Sequence, residues 1–199
     1  MLKRLGISAA LVIAATAPAF AHLDPSDHGS FMSGFSHPLF GLDHIVVMVA
    51  VGLWAATIGG RALWMVPGAF VGTMALGYLL ALTGVSLPFV EPVILASVVA
   101  LGLLIAAAVR LPVALGATLV GLFALFHGYA HGGELGAATA LSFGFGFAIA
   151  TAILHAAGIG LGLVLGSGVG IGKTAAAMLS RVLGGIAAAI GLVLAFGAA

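Results

Sequence analysis

The sequence predicts an all-α membrane protein, a six-helix transmembrane bundle behind a cleaved N-terminal signal peptide. Three observations predict it. Of the 199 residues, 63% are hydrophobic and only 6% are charged, against about 25% charged in an average soluble domain, so there are too few charges to cover a water-facing surface. The apolar residues gather into six runs, each close to the ~20 residues a helix needs to cross the hydrocarbon core. Beyond the N-terminal segment, the basic residues Arg61, Arg110 and Lys173 fall in alternate breaks between those runs, and Arg181 lies near the start of the last run, on the same side as Lys173, as the positive-inside rule requires.

The elements follow in order. Lys3 and Arg4 make a positive start, Leu5 to Ala17 a short apolar stretch, and Pro18-Ala19-Phe20-Ala21 ends in an Ala-x-Ala cleavage pattern. Residues 1–21 therefore read as a signal peptide and the mature chain begins at His22. Residues 22–36, with Asp24, Asp27 and His28, read as a mobile periplasmic arm, and residues 37–199 as the transmembrane domain. Spans are expected at 38–57, 63–82, 92–109, 111–131, 138–164 and 176–198. Arg110-Leu111-Pro112 must form a tight turn, since the third and fourth runs read as one helix would be twice too long. A cleaved signal leaves the mature N-terminus in the periplasm of a multi-pass protein of the bacterial inner membrane. The loops at Arg61, Arg110 and Lys173/Arg181 then face the cytoplasm, and Glu91 and Glu134 the outside. Trp54 and Trp64 flank the first inner loop, where interfacial aromatics are expected. The spacing of Gly158, Gly162 and Gly166, and of Gly184, Gly185 and Gly191, predicts close helix packing.

Composition also excludes several functions. A net charge of +1 with no Lys/Arg cluster leaves no footprint for nucleic acid. Cysteine is absent, which removes disulfides, thiolate metal sites and a Cys nucleophile. Gly172-Lys173-Thr174 imitates the end of a phosphate-binding loop, but Ser167 stands where its first Gly belongs and no strand precedes it. His127-x3-His131 lacks the adjacent Glu of a zinc-protease His-Glu-x-x-His. The chain reads as a non-enzyme.

Two polar clusters interrupt the apolar runs, and ionisable groups within spans are costly and usually functional. The first is His37-Pro38-Leu39-Phe40-Gly41-Leu42-Asp43-His44, with Met48 beyond. Pro38 suits a first helical position, which makes His37 the expected N-cap. On one continuous helix His37 and His44 lie about 20° apart. Asp43 is about 100° round from His44, placed to bind directly only on an irregular helix and otherwise to orient an imidazole. The second cluster is Phe126-His127-Gly128-Tyr129-Ala130-His131-Gly132-Gly133-Glu134. His127 and His131, four apart, are spaced to reach one metal from one helix. Glu134 follows two glycines and is expected over the site or at its mouth. His44 lies about 9 Å in from the outer start of its span and His127 about 6 Å in from the outer end of its own. The two clusters thus share a level and meet if their helices are neighbours. Imidazole with carboxylate suits Ni²⁺, Co²⁺, Cu²⁺, Zn²⁺ or Fe²⁺ rather than Mg²⁺ or Ca²⁺. The isolated His155 is expected as a hydrogen-bonded packing residue, and Glu91, before Pro92, as a helix cap.

The pattern His-x5-Asp-His at 37–44 with Phe-His-Gly-x-Ala-His-Gly-x-Glu at 126–134 resembles the HupE/UreJ family of bacterial nickel (and cobalt) permeases. The resemblance covers essentially the whole mature chain. It implies uptake of Ni²⁺ (or Co²⁺) as transported substrate, with no permanently bound cofactor, for nickel enzymes such as hydrogenase or urease. It implies functional roles for His37, Asp43, His44, His127, His131 and Glu134. The expected partners are the divalent ion and the lipid bilayer, and a homo-oligomer is left open. Two rival readings stand beside it: a redox protein with histidines clamping a haem, and a membrane metal chaperone or sensor that does not transport.

Overall fold

The computed structural model describes residues 25–132 and 137–197, and every regular element among them is a helix. The order is α1 (Pro25–Phe40), α2 (Leu42–Ile58), α3 (Ala62–Leu82), α4 (Val90–Ala106), α5 (Val113–Gly132), α6 (Ala137–Ser167) and α7 (Lys173–Gly197). Helices α3, α5, α6 and α7 are each long and apolar enough to cross a membrane, and α1 with α2 makes a fifth candidate span, bent by 77°. α4 has 17 residues, about 25 Å at 1.5 Å per residue. The chain is a multi-pass helical membrane protein. The signal peptide, the cleavage point and His22 lie outside the described residues, as does Glu134.

The helices pack in pairs, α3 on α5 and α4 on α7, while α1 and α2 both lie on α6. Glycines make these contacts close, and they do so reciprocally. A Cβ at Gly77 would run into the Leu125 carbonyl and one at Gly128 into the Met74 carbonyl. Gly52 lies against the backbone of His155 and Gly158 against that of Val49; Gly34 lies against Phe143 and Gly146 against Phe31. Without a hydrophobic effect between helices in lipid, such backbone-to-backbone approach supplies much of the packing energy. Gly158, Gly162, Gly184 and Gly191 pack as their spacing predicts, whereas Gly166 and Gly185 have nothing within 4 Å.

The first span differs from expectation. It does not begin at Pro38, and His37 is not an N-cap: both lie in the last turn of α1, and the helix breaks at Gly41 instead. Gly41 takes an extended conformation (φ −81°, ψ 117°), and Pro38 weakens the turn before it by lacking the N–H of a helical bond. Residues 25–36, expected in an arm, are helical. Within this helix buried Ser36 donates its hydroxyl to the Ser33 carbonyl at 3.2 Å.

Trp54 is also a correction. It is fully buried, with its indole N–H donated to the Val109 carbonyl at 2.9 Å and its ring against Gly116, so it locks the α4–α5 turn and does not sit in an interfacial belt. Trp64 is exposed, as an interfacial residue should be. Arg110, Lys173 and Arg181 line one cavity beside Thr57 near the end of α2, and Arg181 Nε donates to the Ala106 carbonyl at 2.8 Å. This basic end lies opposite the histidines, since His44 is the third residue of α2.

Candidate metal site

His37 near the end of α1, His44 at the start of α2 and His131 at the end of α5 come together in the interior. Each is buried, and one ligand nitrogen from each lies within 4.8 Å of the other two. The bend at Gly41 makes this possible. On a straight helix residues seven apart are displaced by about 10.5 Å along the axis, yet the His37 and His44 rings stand 5.2 Å apart, edge to face. The α1–α6 and α2–α6 glycine contacts hold the two limbs of the bend on one support. His131 then reaches both, with ring centroids 4.3 Å from His37 and 5.0 Å from His44.

His44 Nε2 lies 2.8 Å from His131 Nε2. Two imidazole lone pairs cannot face each other at that distance, so a proton or a cation must lie between them. Two imidazoles bound to one ion at about 2.1 Å sit about 3 Å apart when adjacent and about 4.2 Å apart when opposite. The trio therefore needs only a modest closing to hold one cation. Phe147 of α6 backs all three rings, at 5.8 Å from His37, 6.0 Å from His44 and 5.1 Å from His131, and Phe143 stands 5.9 Å from His37.

Asp43 touches the trio through His44. Its Oδ1 lies 2.9 Å from His44 Nδ1, an ion-pair distance. A carboxylate there favours the proton on Nδ1 and leaves Nε2 as the ligand atom. Gly41 completes the arrangement by its lack of a side chain, since a Cβ there would fall 2.8 Å from His44 Nδ1 and 3.1 Å from Asp43 Oδ1.

His127, expected on the same ion as His131, sits one turn further in. Its ring is 6.1 Å from that of His44, and its nitrogens are outside the close trio. Nδ1 pairs with the Phe123 carbonyl at 3.0 Å. A carbonyl only accepts, so the proton is on Nδ1 and the lone pair on Nε2. That Nε2 is buried without a hydrogen-bond partner among the described residues.

A cavity of about 440 Å³ opens on the trio, lined by Asp43, His44, Glu91, Tyr129 and His131. Tyr129 braces its rim, donating to the Val85 carbonyl at 2.6 Å and accepting from the Leu87 N–H at 3.1 Å. Glu91 is not the cap expected of it: Phe89 stands at the N-cap and Glu91 is the second residue of α4, where its charge suits the helix dipole and where it lines the cavity. Its expected depth, level with the histidine motifs, was the available signal. The aromatic wall from Phe143 and Phe147 gave no signal, since phenylalanines in an apolar span look alike.

The sequence-family model described as HupE / UreJ protein matches residues 10–194. The Protein HupE of Rhizobium leguminosarum bv. viciae is 50% identical over 119 residues, which is 59% of this chain and 62% of that protein. The matched stretch thus spans less than two thirds of that relative's length. No solved structure matches the chain. With a family match running nearly end to end, and with both histidine motifs converging in the interior, the chain belongs to the HupE/UreJ family.

Proposed function

We propose that this protein is a permease that takes up Ni²⁺, with Co²⁺ as the alternative substrate, across the bacterial inner membrane to supply nickel enzymes such as hydrogenase or urease. The observation that carries the reading is the trio of buried imidazoles, His37, His44 and His131, with nitrogens within 4.8 Å of one another. Imidazole and carboxylate without thiolate select late first-row divalent ions; nickel within that class rests on the family.

In this reading six spans cross the membrane, α1–α2 forming the first and α4 a short third, with the mature N-terminus periplasmic and the basic end cytoplasmic. The ion enters the cavity past Glu91 and Asp43, whose charges offset its own, and sheds water onto the three imidazoles. A two-charge ion gains about 4.6 kcal/mol from a 100 mV potential, roughly a thousandfold accumulation. That is enough for a trace metal without a nucleotide site. A haem clamped between these histidines is disfavoured, because His44 Nε2 and His131 Nε2 at 2.8 Å leave no room for a porphyrin.

Proteoliposomes containing only the purified chain test the reading. They should accumulate ⁶³Ni²⁺ in response to an inside-negative potential. Uptake no greater than in protein-free vesicles, despite tight Ni²⁺ binding, would replace the permease with a metal chaperone or sensor.

Two variants probe the support around the ion. Asp43→Asn should weaken Ni²⁺ binding about 10–100-fold, the usual loss when a ligand's carboxylate partner is neutralised, because the amide no longer holds the proton on His44 Nδ1. Isothermal titration measures this, and unchanged affinity removes Asp43 from the site. Gly41→Ala should weaken binding about tenfold, since its methyl group displaces a ring rather than altering backbone preference. The same titration checks it beside the melting temperature, which should move by only a few degrees.

A further inference from the structure

We propose that His155, together with Nε2 of His127, forms a second and deeper coordination station that receives the cation from the outer trio; the inference rests on the permease reading. His155 was expected to be a satisfied packing residue. Instead it is 1% exposed, and neither ring nitrogen has a hydrogen-bond partner among the described residues. A neutral imidazole carries one donor and one acceptor, and burying both unpaired is costly. A phenylalanine would fill this space without that cost. An imidazole kept ready for a ligand explains the unpaired nitrogens.

Its position fits a path inward. The His155 carbonyl lies against Gly52, which follows His44 by eight residues on α2 and so lies about 12 Å further toward the basic end. Side chains on a helix lean toward its N-terminus, so the ring of His155 leans back from that level toward the trio. It packs edge-on against Phe70 at 4.9 Å, and Phe70 also meets His127 at 5.6 Å. His127 stands in turn 6.1 Å from His44. His44, His127, Phe70 and His155 thus form a continuous chain of ring contacts from the outer site into the middle of the bundle.

The surroundings decide what can use it. Val47, Met48, Val51, Val66 and Phe70 are fully buried, so a cation at this depth finds no water and requires protein ligands. One turn before His155, buried Thr151 donates its hydroxyl to Met74 Sδ at 3.8 Å. The imidazoles themselves suit a late first-row divalent ion such as Ni²⁺ and argue against Mg²⁺ and Ca²⁺, which require oxygen shells.

The test uses the full chain reconstituted in liposomes, with His155→Phe as an apolar ring of similar size and His155→Met as a variant that keeps a ligand. Both should bind Ni²⁺ at the outer trio within about threefold of wild type by titration, which also reports that they fold. His155→Phe should lower ⁶³Ni²⁺ uptake at least about tenfold, and His155→Met should recover at least about threefold over it. Wild-type uptake by His155→Phe, or equal impairment of the two variants, overturns the station and leaves the permease reading standing. Absence of uptake by the wild-type protein overturns that reading, and the station with it.

Discussion

Nickel binding should fall by more than about 100-fold in His44→Ala, beyond the loss expected from removing an outer partner of a ligand. His44 is the hub of the site: its ring lies within 5.2 Å of His37, 5.0 Å of His131 and 6.1 Å of His127, and Asp43 is held on its Nδ1. Alanine removes a ligand and frees the carboxylate that oriented it. It also removes the partner that His131 Nε2 meets at 2.8 Å. Uptake of ⁶³Ni²⁺ should fall in parallel, because an ion that is not dehydrated at the mouth has no route into an apolar bundle. His44→Gln, which keeps a polar side chain of similar length, should fail almost as badly. If His44→Ala binds and transports like the wild type, the trio is not the entry site.

Gly146→Val should disable the protein from a residue that touches no ligand. Gly146 faces the carbonyl of Phe31 and lies 2.8 Å, measured from its would-be Cβ, from the Phe35 nitrogen. A branched side chain there must push α1 off α6. Overpacking of this kind costs about 1–3 kcal/mol in stability, and it moves His37, two residues beyond Phe35, away from His44 and His131. The expected result is a lowered melting temperature together with Ni²⁺ binding weakened by about tenfold or more. Gly160→Ala on the same helix is the control, since nothing lies within 4 Å of Gly160. It should leave both quantities unchanged or slightly raise the melting temperature. Equal behaviour of the two variants would mean that the α1–α6 contact does not set the site.

Much of this arrangement was legible in the chain. The runs that became α3, α5, α6 and α7 are mostly apolar, and their ends coincide with glycines, prolines and arginines to within three residues of the bounds observed. The matched depth of the two histidine motifs was legible from chain direction and a rise of 1.5 Å per residue, but their meeting was conditional on how the helices pack, and the structure sets His131 rather than His127 against His44. The bend at Gly41 was not legible. Read as one helix, His37 and His44 shared a face, and nothing local in the sequence says that α6 will hold α1 at an angle. The same tertiary contact turned an expected arm into a helix.

Single residues were missed for similar reasons. Glu91 reads as a helix cap until the cavity it faces is known. His155 reads as a packing histidine until its nitrogens are seen to lack partners. Trp54 reads as interfacial until the Val109 carbonyl is found beside its indole. In each case the residue type and its neighbours in sequence are compatible with both roles, and the deciding fact is a contact made by a distant segment.

X-ray absorption at the nickel edge, on purified protein carrying one equivalent of Ni²⁺, tests the central claim most directly. The account predicts three imidazole nitrogens at about 2.1 Å, falling to one or none when His37, His44 and His131 are replaced together. A shell of oxygens alone, or a spectrum that the triple replacement leaves unchanged, would contradict it.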